Sequence, residues 1–200
     1  MTDASAAPPT PSRREQLRRQ GPVRVLARLG PEKGVLDFLE AAADWNRPVE
    51  VALAEAGFEN TVGSQSELLE RCRRPAARTP NVLLLGGLAW DEVLPWLAGA
   101  AVVIVPSLKE TFGLVALEAM SVGTPVVAYR IGNLPALIEP TGHGDRLLVE
   151  HDDGPAALHK TAQTLLEDDI LYAATTQTVY RRAAEFQPRR IAELFLEAVS

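Results

Sequence analysis

The stretch Ser107 to Val127, SLKETFGLVALEAMSVGTPVV, follows the apolar run AVVIV at 101–105. The run has the length and branching of a buried strand. A short loop then opens onto a helical pattern in which Leu114, Val115, Ala116, Leu117, Ala119 and Met120 are all apolar. Two carboxylates lie eight positions apart, Glu110 in the loop and Glu118 two turns into the helix, which at ~1.5 Å rise per residue separates them by roughly 12 Å. A lone glutamate in so apolar a helix either sits on a narrow solvated edge or lines a pocket where its oxygens meet hydroxyl donors. Burial without a partner costs several kcal/mol. Thr111, Phe112 and Gly113 open the helix, so backbone N–H groups and the positive end of the dipole face a position where an anion fits. Gly113 lets a phosphate approach closely. The layout suits an extended ligand with a hydroxylated ring at each end and a diphosphate between them, which describes a nucleotide sugar. It also suits an ordinary strand–loop–helix crossover whose acids are merely exposed.

Outward from this stretch, short apolar runs alternate with helical patterns, as in a parallel sheet covered on both faces. Strands are expected at 23–27 (VRVLA), 49–54 (VEVALA), 82–85 (VLLL), 101–105 (AVVIV), 125–129 (PVVAY) and 146–149 (RLLV). Val35, Phe38, Leu39 and Ala42 recur at helical spacing between the first two, as do Val93, Trp96 and Leu97 later. Right-handed connections then give an α/β, doubly wound Rossmann-like sheet of about six strands, with its ligand site at the carboxyl ends of the strands. Residues 1–20, rich in small residues, proline and arginine, read as a disordered tail, and 21–200 as one domain. ELLERCRR reads as helix and PAARTP as a linker, with Pro75 and Pro80 ending regular structure. Asp91 is the expected N-cap of the helix after the third strand, and Asp152-Asp153-Gly154-Pro155 opens another. From Phe186 onward, Ile191, Leu194, Phe195 and Val199 mark a closing amphipathic helix.

The full string E-T-F-G-L-x-x-x-E-A-M-x-x-G-T-P-V-V resembles the E-x7-E motif of the retaining, GT-B-type glycosyltransferases of family 4 (group 1), and specifically their C-terminal, donor-binding domain. The resemblance runs from about Val23 to the C-terminus. It implies that Glu118 accepts hydrogen bonds from the ribose hydroxyls and that Glu110 meets the donor sugar near the reacting carbon. Thr111, Phe112, Gly113 and Leu114 then face the diphosphate with their backbone. After the first strand, Arg28 and Lys33 flank a Gly-Pro turn, and the resemblance assigns them the diphosphate. It also places the turn Gly86-Gly87-Leu88-Ala89-Trp90 beside the nucleotide base, where Trp90 either stacks on the base or serves as a packing residue. Three positions depart from the family: Ala27 where a glycine usually precedes the arginine, Ala54-Glu55-Ala56-Gly57-Phe58 in place of a glycine-rich turn, and Ala136 where the Gly-Gly-x-Pro-Glu turn has its glutamate.

The resemblance further implies retention of anomeric configuration and no cofactor or metal for the chemistry. A GT-B enzyme needs two domains of this kind, and 200 residues suit one. The expected function is therefore the donor-binding half of a glycosyltransferase that uses a nucleoside diphosphate sugar. The acceptor domain is then absent from this chain and comes from a separate polypeptide or through self-association, or the chain is a fragment of a longer enzyme. The alternative is a non-catalytic module that binds nucleotide sugar or protein. Hydrophobic content of 46% with 23% charged residues is globular, and a net charge of −6 with pI near 5.2 argues against nucleic acid. A single cysteine, Cys72, excludes an internal disulfide and fits a reducing compartment. The longest apolar stretch is too short for a membrane span and holds Pro95 and Pro106, and no apolar leader follows the start methionine, so a cytoplasmic location is expected. His143, His151 and His159 show no metal-ligand grouping.

Overall fold

The computed structural model describes residues 16, 18–55, 63–187, 190 and 196. Among these, six parallel strands make one sheet: β1 Val23–Arg28, β2 Val49–Ala54, β3 Val82–Leu85, β4 Val102–Val105, β5 Val126–Tyr129 and β6 Leu148–Val149. Their order, β3-β2-β1-β4-β5-β6, is that of the doubly wound Rossmann sheet. All four residues of β4 and all four of β5 are buried, because helices cover both faces and no position is left for a polar alternation. The helices are α1 Val35–Glu40, α2 Ser64–Arg78, α3 Trp90–Ala98, α4 Leu114–Ser121, α5 Leu134–Ile138, α6 Gly144–Leu147, α7 Pro155–Glu167 and α8 Asp169–Ala184. Phe38, Leu97, Ile104, Met120, Leu137, Leu158 and Tyr172 fill the core around the sheet. The buried Tyr172 hydroxyl donates to Ala101 O at 2.7 Å, so the largest core side chain leaves no unsatisfied donor.

The strand order decides where a ligand goes. β1 pairs with β2 on one side and with β4 on the other, so the winding reverses between β1 and β4. The loops leaving those two strands diverge to opposite faces and open a crevice at their carboxyl ends.

Several local expectations are corrected. Helix α2 runs through Pro75 to Arg78 rather than ending before it. Cys72 and Ala76, one turn apart, are both buried, and Thr79 Oγ1 donates to Pro75 O at 3.1 Å, so packing and a cap outweigh the lost proline donor. The run at 146–149 is strand only at Leu148–Val149, which pair with Ala128 and Tyr129. Residues 144–147 form the turn α6 instead, since an apolar run without a period fits either conformation. The N-cap of α3 is Ala89, whose N–H donates to the Glu92 carboxylate at 2.9 Å, and Asp91 lies within the first turn. Gly154 occupies the N-cap of α7 without a side-chain cap, while Asp152 and Asp153 belong to a preceding 3-10 turn. Arg18 and Arg19, expected in the disordered tail, are bound to the fold. Arg18 is buried and donates to the carbonyls of Gly123 and of Val122 (2.9 Å) at the end of α4, and Arg19 donates to Leu166 O (2.6 Å) and pairs with Asp169. Ile191, Leu194, Phe195 and Val199 lie outside the described residues, as do Ala56 to Phe58. Among the described residues no helix is long and apolar enough to cross a membrane.

His159 of α7 stacks on Phe38 at 4.5 Å and meets Trp45 edge-on at 4.3 Å, joining α7 to the α1 region. Burial holds its pKa down at about 4, below the ordinary 6.5, despite a hydrogen bond to Phe38 O. The unfolded chain therefore binds a proton that the folded one refuses between those values. The contribution of neutral His159 is fully present above pH 6.5 and fades as pH falls to about 4, by at most about 3 kcal/mol. Urea midpoints measured across this range should drop with acid in the wild type and change less in His159→Phe.

Candidate functional site

The site is built where the β1 and β4 loops meet. After Arg28 the chain passes Gly30 into the 3-10 turn Pro31–Lys33, and Gly34, at φ 64°, starts α1. A Cβ on Gly34 would lie 2.0 Å from Pro106 O, so the β1 loop rests directly on the residue following β4. Leu108 N and Lys109 N both donate to Glu32 O, at 2.8 and 3.3 Å. These backbone contacts hold the two loops together and set Lys33 against Glu110. Lys33 Nζ lies 3.0 Å from Glu110 Oε2, and each side chain is only 15% exposed.

The other oxygen of Glu110 turns onto the tip of α4. Glu110 Oε1 accepts from Thr111 N at 3.1 Å and from Gly113 N at 3.3 Å. Burial alone raises the pKa of this carboxyl, but the Lys33 ammonium and the two amides outweigh it and hold the group below the ordinary carboxylate range. The result is a compact anion-binding corner of one cation and a helix N-terminus, with Glu110 seated in it.

Glu118, on the second turn of the same helix, is about half buried, and burial raises its pKa. Among the described residues no donor reaches its carboxylate. Of the helix-opening residues, Gly113 is buried, while Thr111, Phe112 and Leu114 are exposed. Arg28 stands apart from the Lys33–Glu110 pair. It is exposed and lines a cavity of ≈ 240 Å³ with Leu53, Arg71 and Cys72, and no hydrogen bond or ion pair joins it to either partner. Gly86 lines a second cavity, ≈ 420 Å³, with Leu53, Leu69 and Arg73. Trp90, at the first position of α3, is 86% exposed and packs on no described ring. Among the described residues no group of three or more His, Cys, Asp or Glu side chains is arranged to hold a metal ion.

Two further elements support the site, the turn that resembles the family's Gly-Gly-x-Pro-Glu and Phe186. Gly132, at φ 51°, places its Cα so close to Glu110 that a Cβ would sit 1.8 Å from Glu110 O, and Asn133 Nδ2 donates to Phe112 O at 3.2 Å. The turn after β5 thus clamps the loop carrying Glu110. From behind, Phe186 meets the Phe112 ring edge-on at 6.2 Å, and Arg182 of α8 lies over Phe186 at 4.7 Å while donating to Ala136 O (2.9 Å) and Leu137 O (3.3 Å). Phe186 carries no local motif that would mark it; only its distance in space to Phe112 does.

Residues 23–168 match the family model described as glycosyl transferases group 1. The chain belongs to that family. All of the candidate site residues fall inside the matched span of this group 1 glycosyl transferase chain. It is 35% identical over 130 residues to the MMP alpha-(1->4)-mannosyltransferase of Mycolicibacterium hassiacum, covering 65% of this chain and 27% of that protein. It is 37% identical over 126 residues to a D-inositol 3-phosphate glycosyltransferase of Salinispora arenicola, covering 61% and 28%. Among solved structures, HepE of Anabaena in complex with UDP-glucose superposes with TM-score 0.73 at 25% identity, over 93% of this chain and 50% of that one. Sucrose-phosphate synthase of Thermosynechococcus elongatus gives 0.70 at 28% identity, over 94% and 49%. The chain therefore spans about half the length of these solved structures. The C-terminal domain of LpcC, a group 1 family protein of Francisella tularensis, has the same fold at matching size, with TM-score 0.64 at 23% identity over 88% of this chain and 94% of that one.

The clamp on Glu110 in this group 1 chain is testable. Gly132→Ala adds a methyl group against a backbone oxygen at a left-handed φ, and neither can yield cheaply. Chemical denaturation should show a loss of roughly 2–4 kcal/mol. An unchanged midpoint would mean that the turn does not bear on the Glu110 loop as closely as described.

Proposed function

We propose that this chain is the donor-binding half of a glycosyltransferase that takes a sugar from a nucleoside diphosphate sugar with retention of anomeric configuration, the acceptor site being supplied by a second domain. The observation that carries the reading is the meeting of Lys33, Glu110 and the α4 tip at the sheet's switch point. A cation and aligned backbone amides converge there, the pair of features a diphosphate requires.

In this reading the diphosphate lies at the α4 tip, with Lys33 and the backbone around Phe112, Gly113 and Leu114 taking up negative charge as the bond from the anomeric carbon to the phosphate oxygen breaks. The leaving diphosphate departs with that electron pair, and the acceptor hydroxyl oxygen bonds to the same face of the sugar carbon as its proton passes to the departing phosphate oxygen. Arg28, which the family resemblance assigns to the diphosphate, would have to turn from the cavity it lines to meet it. Glu118 accepts from the ribose hydroxyls, which would give its half-buried carboxylate the donors it lacks within the protein. Glu110 meets the sugar hydroxyls. Gly86 and Trp90 border the base. The likeness to HepE in complex with UDP-glucose makes UDP-hexoses the first donors to try.

Calorimetric titration with UDP-, GDP- and ADP-sugars tests the reading. At least one should bind the wild type, and Glu118→Ala should weaken that donor about 100-fold, the loss of charge-assisted bonds to a diol. Trp96→Phe, on the far side of α3 against Arg24, should leave it unchanged. Equal heats for the wild type and Glu118→Ala would remove Glu118 from the site.

A further inference from the structure

Glu110 occupies the contacts that a diphosphate needs. Its two oxygens take the Lys33 ammonium at 3.0 Å and the amides of Thr111 and Gly113 at 3.1 and 3.3 Å. An amide hydrogen directed at one anion is not available to another. A diphosphate set beside this carboxylate also meets a like charge at close range, in a corner where both flanking side chains are largely buried.

We propose that Glu110 is a built-in competitor for the donor's diphosphate, displaced from Lys33 and the α4 tip when the donor binds and thereby freed to accept hydrogen bonds from the donor's sugar. The inference rests on the proposed donor site and adds a consequence that the site alone does not have. A bare nucleoside diphosphate must expel Glu110 and gives it nothing in exchange. A nucleoside diphosphate sugar expels it and supplies hydroxyl donors to the same carboxylate. Glu110 therefore discriminates between a loaded donor and the spent nucleotide, and favours release of the nucleoside diphosphate once the sugar has left.

The geometry allows such an exchange. Glu110 sits in a loop, not in a helix, and only its side chain has to turn. Its backbone stays fixed by Gly132 on one side and by the Glu32–Leu108 contact on the other. Lys33, freed from its partner, keeps its position at the end of the 3-10 turn and offers its charge to the phosphate oxygens.

The test is titration of wild type, Glu110→Gln, Glu110→Ala and Glu118→Ala with UDP, GDP and ADP and with their hexose conjugates, with melting midpoints recorded to verify folding. The Gln variant retains an oxygen for the Thr111 and Gly113 amides but loses the charge, whereas the Ala variant vacates the corner. Bare nucleoside diphosphate should bind Glu110→Ala about tenfold more tightly than wild type and Glu110→Gln a few-fold more tightly, in keeping with the loss of a competing charge-assisted contact. The preference of wild type for the sugar conjugate should shrink in both. Heat seen only in the Glu110 variants supports the proposal as well. If bare nucleotide binds both variants no better than wild type, while Glu118→Ala still weakens binding, the competitor role is wrong and the donor site stands. If neither wild type nor any variant binds a nucleotide, the donor site falls and the proposal falls with it.

Discussion

The constraint on which the structure depends is the adjacency of β1 and β4. Parallel strands joined by crossovers send their loops to opposite faces only where the winding reverses, and here that point lies between these two strands. The backbone then finishes what the topology begins. Glu32 O accepts from two amides of the β4 loop, and Gly34 rests on Pro106 O at a separation no side chain would permit. A lysine five positions after the arginine that ends β1 thereby meets a glutamate five positions after the end of β4. Neither distance along the chain predicts the meeting, but the strand order does.

Energetically the site is a small polar enclave on an apolar frame. The helix behind it buries Ala116, Ala119 and Met120 against the sheet, so its position is fixed by packing and not by the charges at its tip. On that frame two carboxylates meet opposite fates. Glu110 is held ionised by a cation and two amides that overcome its burial, while Glu118 has burial alone and is pushed the other way. The loop and the helix it opens thus present one acid paired within the protein and one that is half-buried with no protein donor among the described residues. In the proposed site, a ligand hydroxyl brought to the second acid offsets desolvation already incurred in folding.

The fold was legible in the sequence because buried parallel strands must be continuous apolar runs. Five of the six expected strands agree with the structure to within a residue, and the sixth fails where an apolar run at the sheet's edge pairs through only two residues. Capping was read less well. Asp91 looks like a cap by residue type, yet Ala89 is the N-cap with the Glu92 carboxylate on its amide; of Asp152-Asp153-Gly154-Pro155, Gly154 is the N-cap and Pro155 the first helical residue, because a cap depends on where the first turn begins and that is set by packing. Arg18 and Arg19 were misread for a related reason. The carbonyls that bind them lie more than a hundred residues away, at the ends of α4 and α7. The family resemblance, not spacing, marks Lys33 and Glu110 as site candidates, and the closing of Glu110 on its own helix tip is not legible in the sequence, since it requires knowing that the loops are already pinned together.

The two ends of the crevice are built with different stringency. Around Glu110, the Gly132 turn, Asn133, Phe112 and Phe186 support one another through direct contacts, and Arg182 ties that group to α5. On the other side β3 is an edge strand with no fully buried residue, Leu83 is 54% exposed, and Trp90 stands out from the start of α3. Rigid support belongs where an anion must be met at fixed distances, because electrostatic stabilisation depends on preorganised donors. A looser rim can change shape and side chains without disturbing that corner. In the proposed donor site the anion is therefore met at the switch point between β1 and β4, and the base is proposed to lie at the β3 edge, where substitutions cost the core little.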